Sequence, residues 1–328
     1  MKIIVTGAAG FIGMQSCLKL LKLNYSVFGI DNLNKYYDRN LKLKRLKLLK
    51  KNKKFKFKKI DISDFKKLFE TFRKFKPDFV LHLAAQAGVR HSILHPEDYT
   101  KSNLVGFANI LECSKNLKIK HLIFASSSSV YGDSKRYPLE ENQKLNSPIS
   151  YYAATKLSNE LMACSYSHIH NLPSTGLRFF TVYGPWGRPD MALFLFTDAI
   201  KKNKNIKLFN SGDMIRDFTY IDDITNSICK LIKKIPQKSY LKKKKKPPYR
   251  VLNIGSNNPI NIKSYIKIIE KNLGKKGKTT NYPMQKGDVK HTHADLKNLN
   301  RVIKSNQVST KLEVGIKRFI EWHNEYYD

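Results

Sequence analysis

The sequence is short of acidic residues, of paired cysteines and of long apolar runs. Its 328 residues include 61 Lys and Arg against 26 Asp and Glu, a net charge of +35. No apolar run reaches the roughly 18 residues of a membrane-spanning helix, so we expect no membrane association. The four cysteines are scattered, without a Cys-x-x-Cys pair, which predicts a reducing, cytoplasmic environment. A strand pattern follows Met1 directly and leaves no room for a signal peptide.

Arginine is also scarce, and this bears on the meaning of the positive charge. Only 11 of the 61 basic residues are arginine. A nucleic-acid site favours arginine for bidentate contacts and interleaves aromatic rings for stacking. We therefore interpret the lysines as solvated surface that reflects an AT-rich coding bias, and we expect no specific nucleic-acid partner. The lysine run at residues 242–248 is predicted to be a surface loop.

A glycine-rich turn follows the first predicted strand, at residues 2–6. Gly7, Gly10 and Gly13 are evenly spaced, and a helix pattern continues to about residue 22. Such a turn lets the backbone and a helix N-terminus approach a pyrophosphate closely. The next predicted strand ends at Asp31, whose carboxylate suits an adenosine ribose and repels a 2′-phosphate. The pattern predicts a dinucleotide site that prefers NAD to NADP.

Strand and helix patterns alternate through most of the chain. This alternation predicts an α/β fold, a Rossmann-type doubly wound parallel sheet with a smaller C-terminal α/β lobe that binds substrate. We assign residues 1–180, with returning segments near 217–255, to the NAD-binding domain, and residues 181–216 and 256–328 to the lobe. Further strands are predicted near residues 54–60, 79–83, 121–125, 174–180 and 250–254. Further helices are predicted near residues 38–50, 64–75, 97–117, 151–170, 192–201, 262–273 and 312–327.

The motifs fall where predicted strands end, which is where open α/β sheets bind ligands. Small or polar residues at these ends would let a cofactor lie close to the backbone. The predicted cofactor contacts are Gly7, Gly10, Phe11, Ile12, Gly13, Asp31, Asn32, Asp61, Ile62, Leu83, Ala84, Ala85, Ser126, Tyr152, Lys156 and Val182.

A tyrosine and a lysine follow a strand that ends in four serines, residues 126–129. Tyr152 and Lys156 are four residues apart on a predicted helix and therefore share a face. A nearby cation favours a phenolate, so we predict that Lys156 lowers the pKa of Tyr152 and makes it a base. Lowering that pKa by ~3 units takes ~4 kcal/mol, which the lysine and an oxidised nicotinamide would share. Tyr152 would take a proton from a substrate hydroxyl, and Ser127 is predicted to hydrogen-bond the oxygen of that hydroxyl. The predicted catalytic residues are therefore Ser127, Tyr152 and Lys156.

Together these motifs resemble the extended short-chain dehydrogenase/reductase family, and within it the NAD-dependent sugar epimerases. Longer blocks are similar to UDP-glucuronate 4-epimerases. The resemblance implies tightly held NAD and conversion of UDP-glucuronate to UDP-galacturonate through a transient 4-keto intermediate, in polysaccharide biosynthesis. By resemblance only, the helices near residues 97–117 and 151–170 would form a homodimer. The similar blocks are residues 31–38, 81–90, 151–162, 175–194, 212–223, 249–255 and 283–288.

A UDP-sugar substrate would need a firm grip on UDP and a looser one on the hexose. Arg188 and Arg216 are candidates to clamp the diphosphate, with Arg90 a weaker one, and Asp288 to hold a ribose hydroxyl. Hydroxyl donors from Ser127, Ser128 and Thr181 would pin the sugar carboxylate against loss of carbon dioxide. A Thr181→Ala variant with neither more UDP-pentose nor weaker substrate binding would contradict this hypothesis for Thr181. The predicted substrate contacts are Arg90, Ser127, Ser128, Ser129, Thr181, Arg188, Arg216 and Asp288.

Sugar dehydratases and decarboxylases of this family carry an acidic residue where this chain has serines 126–129, so those reactions are disfavoured. Two other functions stay open. A UDP-glucose/UDP-galactose 4-epimerase differs by a few pocket residues, and a catalytically silent nucleotide-sugar- or RNA-binding relative would keep the fold. No metal site is predicted, because His291 and His293 lack further ligands nearby in the sequence.

Overall fold

The computed structural model describes residues 1–145, 147–241, 244–305 and 309–327. Fourteen strands are present in this part of the chain. In chain order they are β1 (Lys2–Thr6), β2 (Ser26–Asp31), β3 (Phe55–Lys59), β4 (Phe79–His82), β5 (His121–Ser127), β6 (Ser174–Phe179), β7 (Thr181–Tyr183), β8 (Asn205–Phe209), β9 (Ile215–Tyr220), β10 (Ser239–Leu241), β11 (Lys244–Lys246), β12 (Tyr249–Ile254), β13 (Pro259–Asn261) and β14 (Lys278–Tyr282).

Twelve α-helices lie among these strands in the described residues. They are α1 (Phe11–Lys22), α2 (Arg39–Lys50), α3 (Phe65–Phe75), α4 (His91–Leu94), α5 (Pro96–Tyr99), α6 (Gly106–Asn116), α7 (Tyr151–His170), α8 (Ala192–Lys201), α9 (Ile221–Ile232), α10 (Ile262–Leu273), α11 (Lys297–Ile303) and α12 (Leu312–Tyr327). A π-helical turn, Thr100–Val105, joins α5 to α6 where the sequence predicts one long helix.

A seven-stranded sheet forms the centre, in the order β12-β6-β5-β4-β1-β2-β3. Every neighbouring pair in it runs parallel. The order reverses between β1 and β4, which makes the crevice at their carboxyl ends the natural ligand site. The predicted α/β fold class, a doubly wound Rossmann-type sheet, is confirmed.

Both faces of this sheet are buried, because alternate side chains of a strand point to opposite sides. In β1, Ile3 and Val5 pack into one core with α1, α2 and α9. Ile4 packs into a second core with α3, α6 and α7 on the other face. This double burial explains the continuous apolar runs of the central strands.

A smaller lobe lies beyond β6. In it β13, β9 and β7 form a three-stranded sheet, β14 pairs with β8, and α8 and α12 pack against α10. The predicted returning strand is present as β12, which pairs with β6. The lobe thus places β7, β9 and the loop after β14 over the carboxyl ends of the central strands.

Capping residues account for where several helices begin. The Asp38, Asp64 and Ser150 side chains accept hydrogen bonds from backbone N–H groups in the first turns of α2, α3 and α7. Such caps satisfy N–H groups that a helix leaves unpaired. They also fix the starting point of α7, which carries Tyr152 and Lys156.

The predicted loop at residues 242–248 is wrong in part. Lys244–Lys246 form β11, which pairs antiparallel with β10, and Lys242 and Lys243 lie outside the described residues. The four cysteines are free. In the described part of the chain, no helix has the length and apolar character to cross a membrane, and no cluster of His, Cys, Asp and Glu is arranged to hold a metal ion.

Candidate active site

One cavity of about 600 Å³ lies at the carboxyl ends of the central strands. Every predicted site residue except Asp61 lines it, and the role of Asp61 as a cofactor contact stays a prediction. The Asp61 carboxylate accepts hydrogen bonds from the backbone and hydroxyl of Ser63 and from the Asn32 amide. It therefore shapes the turn after β3 and supports Asn32, which does line the cavity.

The glycine turn is held in one conformation by close backbone packing. Gly7 has a φ of +71°, and a Cβ there would lie 2.7 Å from the Ala84 nitrogen. A Cβ at Gly13 would lie only 2.0 Å from the Gly7 oxygen, so α1 can approach the turn only without a side chain. The turn is closed by a hydrogen bond from the Gly10 nitrogen to the Gly7 oxygen.

The tip of β2 carries the acidic residue predicted for the ribose. Asp31 is buried, and its carboxylate accepts hydrogen bonds from the Ala9 and Leu33 nitrogens. Burial raises the pKa of Asp31, while the Leu33 N–H, Lys42 and Arg45 oppose that rise. Lys42 lies in the same pocket, donates from Nζ to the Asn34 backbone and side-chain oxygens, and is a lining residue that the sequence analysis missed.

These features fit a dinucleotide. Gly10 caps α1 without a side-chain hydrogen bond, which leaves the first-turn N–H groups for an anion. The Gln86 side chain is buried in the cavity wall, and its Nε2 has no hydrogen-bond partner among the described residues. A buried donor without a partner is costly, so a bound group with acceptor oxygens would satisfy it. Together with Asp31, this donor set suits the pyrophosphate and ribose groups of NAD.

The predicted catalytic residues meet at the ends of β5 and α7. Lys156 is almost fully buried, donates from Nζ to the Ala125 carbonyl at 2.9 Å, and lies 5.9 Å from the Tyr152 ring centroid. Ser127 is close enough to Tyr152 that its hydroxyl lowers the pKa of the phenol. The three residues therefore occupy one wall of the cavity, as the spacing predicts.

The prediction that Lys156 and an oxidised nicotinamide together lower the pKa of Tyr152 stays a prediction, because the structure shows the effect of the protein groups alone. Burial raises the pKa of Tyr152, and the Ser127 hydroxyl and the Arg188 charge only partly oppose this. Burial also lowers the pKa of Lys156 to about 8, which still leaves most of the ammonium charged at neutral pH. Desolvation outweighs the charge effect because both groups are buried.

A buried ion pair braces this wall. The Ser126 hydroxyl donates to Glu160 at 2.5 Å, and Arg178 donates to both oxygens of the same carboxylate at 2.9 and 2.7 Å. The Ser126 side chain thus faces α7, although the residue lines the cavity. This bridge holds the end of β5 against α7 and so sets the separation of Ser127 from Tyr152.

The predicted substrate arginines are paired with carboxylates. Arg188 donates to both oxygens of Asp190, at 3.0 and 2.5 Å. Arg216 donates to Asp288 at 2.9 Å and also bonds the Ile215, Val289 and Lys290 carbonyls. Asp288, which the sequence predicts to hold a ribose hydroxyl, is therefore the partner of a predicted phosphate clamp.

Arg90 lies at the outer edge of the cavity, with its guanidinium 5.0 Å from the Phe209 ring centroid. Such a cation–π pair offers a flat surface of the kind on which a base can stack. Phe209, Tyr36 and Asp190 also line the cavity and are absent from the predicted site. Tyr36 follows Asp31 in the same loop, and its phenol donates to Asp190, a contact that no sequence spacing signals.

Comparison with known proteins agrees with this geometry. The CapI protein of Staphylococcus aureus is 47% identical over 334 residues, covering 100% of this chain and 99% of that protein. The UDP-glucuronate 4-epimerase of Thermodesulfobacterium geofontis is 41% identical, covering 98% of this chain and 96% of that protein.

A solved structure matches along its whole length. The UDP-glucuronic acid 4-epimerase from Bacillus cereus, in complex with UDP-glucuronic acid and NAD, superposes with a TM-score of 0.89 at 33% identity, covering 100% of both chains. The family model described as the NAD dependent epimerase/dehydratase family matches residues 3–255. The predicted family is confirmed: the chain belongs to the NAD-dependent epimerase/dehydratase family.

Proposed function

We propose that this protein is a UDP-glucuronate 4-epimerase, an isomerase that interconverts UDP-glucuronate and UDP-galacturonate. The observation that carries the proposal is the wall of Ser127, Tyr152 and Lys156 facing a dinucleotide site, with hydroxyls and no carboxylate at positions 126–129. The full-length similarity to proteins named for this activity supports the same substrate.

Tyr152 acts as the base that takes the proton from the sugar 4-hydroxyl and later returns it. Ser127 hydrogen-bonds the same oxygen and shortens the path of the proton. When bound, NAD supplies the hydride acceptor and then the hydride donor at the sugar C4, and its oxidised ring favours the phenolate. Lys156, held by the Ala125 carbonyl, places its charge beside the phenol and the nicotinamide ribose.

The sugar carboxylate is recognised by hydroxyl donors. Ser128 and Thr181 line the cavity near the catalytic wall, and Ser129 shares a hydrogen bond with Ser127. Neutral donors bind a carboxylate without adding the acid or base that dehydration needs. The ketone at C4 can then turn over and be reduced on its other face, with no further bond broken in the sugar.

The UDP moiety is held by Arg188 and Arg216, which give up part of their bonding to Asp190 and Asp288 when phosphate binds. Arg90 and Phe209 lie at the outer end, where the base of the nucleotide would reach. Rotation of the sugar ring requires that UDP is bound tightly and the hexose weakly.

We also propose an oligomeric state, a cellular location, a pathway and a domain division for this protein. We propose a homodimer through the segment from α5 to α6 and through α7, because Val105 in the π-helical turn and Leu161 and Ile169 on α7 are exposed apolar side chains. We also propose a cytoplasmic location, which the free cysteines support. The product is an activated uronic acid, so we place the enzyme in polysaccharide biosynthesis. The division into residues 1–180 with 217–255, and the remaining lobe, stays a proposal.

The test is to incubate the purified protein with UDP-glucuronate, without added NAD, and to follow the products by NMR. We expect UDP-galacturonate to form and no UDP-pentose. Tyr152→Phe should lose about 10²- to 10⁴-fold in kcat, the usual contribution of a general base, while keeping its NAD.

Three results would redirect the proposal. Turnover of UDP-glucose in preference to UDP-glucuronate would identify a UDP-glucose 4-epimerase. Inertness toward both sugars, indistinguishable from Tyr152→Phe, would identify a silent relative. Accumulation of UDP-pentose would show that the hydroxyls do not protect the carboxylate.

A further inference from the structure

A fully buried arginine lies beneath the glycine turn and takes part in none of the steps above. Arg45, on α2, has no exposed surface. Its Nη1 donates to the Ala9 carbonyl at 3.0 Å and to the Tyr37 phenol at 2.7 Å. Its Nη2 donates to the Trp186 and Gly187 carbonyls, at 2.5 and 3.2 Å. One side chain thus joins three segments that are far apart in sequence.

The charge of this guanidinium has no carboxylate partner among the described residues. All four acceptors are neutral, three carbonyls and one phenol. Burying a cation in this way is costly unless an anion lies near. The Arg45 charge interacts with Asp31, whose pKa it lowers against the larger effect of burial, and with Lys42, a like charge whose pKa it also lowers. Added negative charge at the nucleotide site would therefore stabilise Arg45.

The segments that Arg45 joins belong to different halves of the active site. Ala9 is part of the glycine turn, whereas Trp186 and Gly187 lead directly to Arg188. Neither Trp186 nor Gly187 lines the main cavity, but Arg188 does. A second contact, from the Gln15 side chain of α1 to the Pro185 carbonyl at 3.4 Å, ties the same turn to the nucleotide side.

We propose that Arg45 is a positioning residue that couples the occupancy of the NAD site to the placement of residues 184–188. A nucleotide anion on the glycine turn stabilises the buried guanidinium, and the guanidinium holds the turn that carries Arg188. Arginine is required because its planar fork reaches acceptors on two segments at once, whereas a lysine offers one nitrogen.

The test compares Arg45→Met and Arg45→Lys with Arg39→Met, which removes an exposed cation from the same helix. The first measurement is the rate at which bound NAD leaves the purified holoenzyme in NAD-free buffer. Loss of charge-assisted hydrogen bonds should speed release by about tenfold or more in Arg45→Met. Arg45→Lys, which keeps the charge, should fall between it and the unchanged Arg39→Met.

The second measurement is amide hydrogen exchange at residues 186–191 with NAD kept saturating. Exchange there should be faster in Arg45→Met than in Arg39→Met, although Trp186 and Gly187 do not line the cavity. In the unmodified protein, the same amides should exchange faster as NAD dissociates. The comparison of the unmodified protein with and without NAD can be made even if Arg45→Met does not fold.

Two results would overturn the proposal. One is an Arg45→Met protein with lower thermal stability but the NAD release rate of Arg39→Met, which would indicate a packing role alone. The other is an unmodified protein whose exchange at residues 186–191 does not respond to NAD. Neither measurement uses a sugar nucleotide, so the outcome is independent of which sugar the enzyme epimerises.

Discussion

The two ends of the cavity are built on different principles. At the nucleotide end the geometry is set by backbone, because a Cβ on Gly7 or Gly13 would lie within 3 Å of other backbone atoms. At the substrate end it is set by long side chains, Arg188 and Arg216, each already paired with a carboxylate. The nucleotide end is therefore fixed before a ligand binds. At the substrate end, the two arginines must exchange their carboxylate partners for the phosphates of a ligand.

This difference matches what the reaction asks of each end. In the proposed reaction NAD would stay in place through both half-reactions, so a site fixed by the backbone would suit it. UDP-sugars must enter and leave, and ion pairs that can be exchanged give reversible binding of a diphosphate. We therefore expect changes at the nucleotide end to abolish function, and changes at the substrate end to weaken substrate binding selectively.

The largest effect is expected for Gly13→Ala. Its Cβ would lie 2.0 Å from the Gly7 oxygen, which forces α1 away from the turn. Overpacking of this kind typically costs ~1–3 kcal/mol and here displaces the pyrophosphate site itself. The purified variant should carry little NAD, measured by absorbance after denaturation, and should be inactive. Lys22→Ala, exposed on the same helix, is the control, and normal NAD content in Gly13→Ala would refute a backbone-fixed site.

A smaller and more selective effect is expected for Arg216→Met. Charge-assisted hydrogen bonds contribute ~1.5–3 kcal/mol each, so KM for the UDP-sugar should rise about 10- to 100-fold. The NAD content should stay unchanged, because Arg216 lies at the substrate end. Steady-state kinetics would measure KM for the UDP-sugar, and cofactor analysis would measure the NAD content. Arg301→Met, which changes an exposed arginine, is the control. Loss of NAD in Arg216→Met would contradict the separation of the two ends.

The third prediction concerns Lys156, and its effect falls on the pH dependence of stability and not on ligand binding. Burial lowers its pKa from 10.5 to about 8 in the folded protein. Between these values the unfolded chain binds more protons than the folded one, so raising the pH through this window stabilises the fold. The destabilising contribution is fully present below pH 8. The comparison requires urea unfolding of wild-type protein and Lys156→Met, both freed of NAD.

Wild type should gain stability relative to Lys156→Met as the pH rises from 8 toward 10. Taking the difference between the two proteins cancels the contribution of buried tyrosines, which has the opposite sign. Parallel pH profiles would show that the Lys156 ammonium carries no desolvation penalty.

Local signals explain what the sequence predicts well. The helix Tyr151–His170 agrees with the predicted bounds, because Ser150 caps it and an apolar pattern continues through it. The glycine turn and Asp31 are equally local, since spacing within one strand–turn–helix–strand unit carries the chemistry. These features place the catalytic and nucleotide residues without reference to distant parts of the chain.

Long-range pairing explains what the sequence does not predict. Arg216 and Asp288 are 72 residues apart and meet only because the loop after β14 lies beside β9. The Asp61 carboxylate bonds the Asn32 amide, 29 residues away, which the sequence analysis does not foresee. Side-chain partners of this kind depend on the assembled fold, and spacing alone does not reveal them.

The lysine-rich region 42–59 contains two basic residues that its composition does not distinguish from the others. Interpreted as solvated surface, it conceals Lys42 and Arg45, which are both buried. The available signal is helical periodicity, since both lie on the same face of α2 as Leu46 and Leu49. A basic residue at such a core position of a helix therefore has a different environment from its exposed neighbours.

The strand β3 gives the remaining lysines a physical consequence. It is an outer strand of the central sheet, and in the described part of the chain β2 is the one strand that pairs with it. Lys56, Lys58 and Lys59 are exposed along it. A second molecule approaching through the same edge would bring like charges together, so the row of ammonium groups opposes sheet extension between copies. The charge that appears excessive in composition acts here as a guard against aggregation.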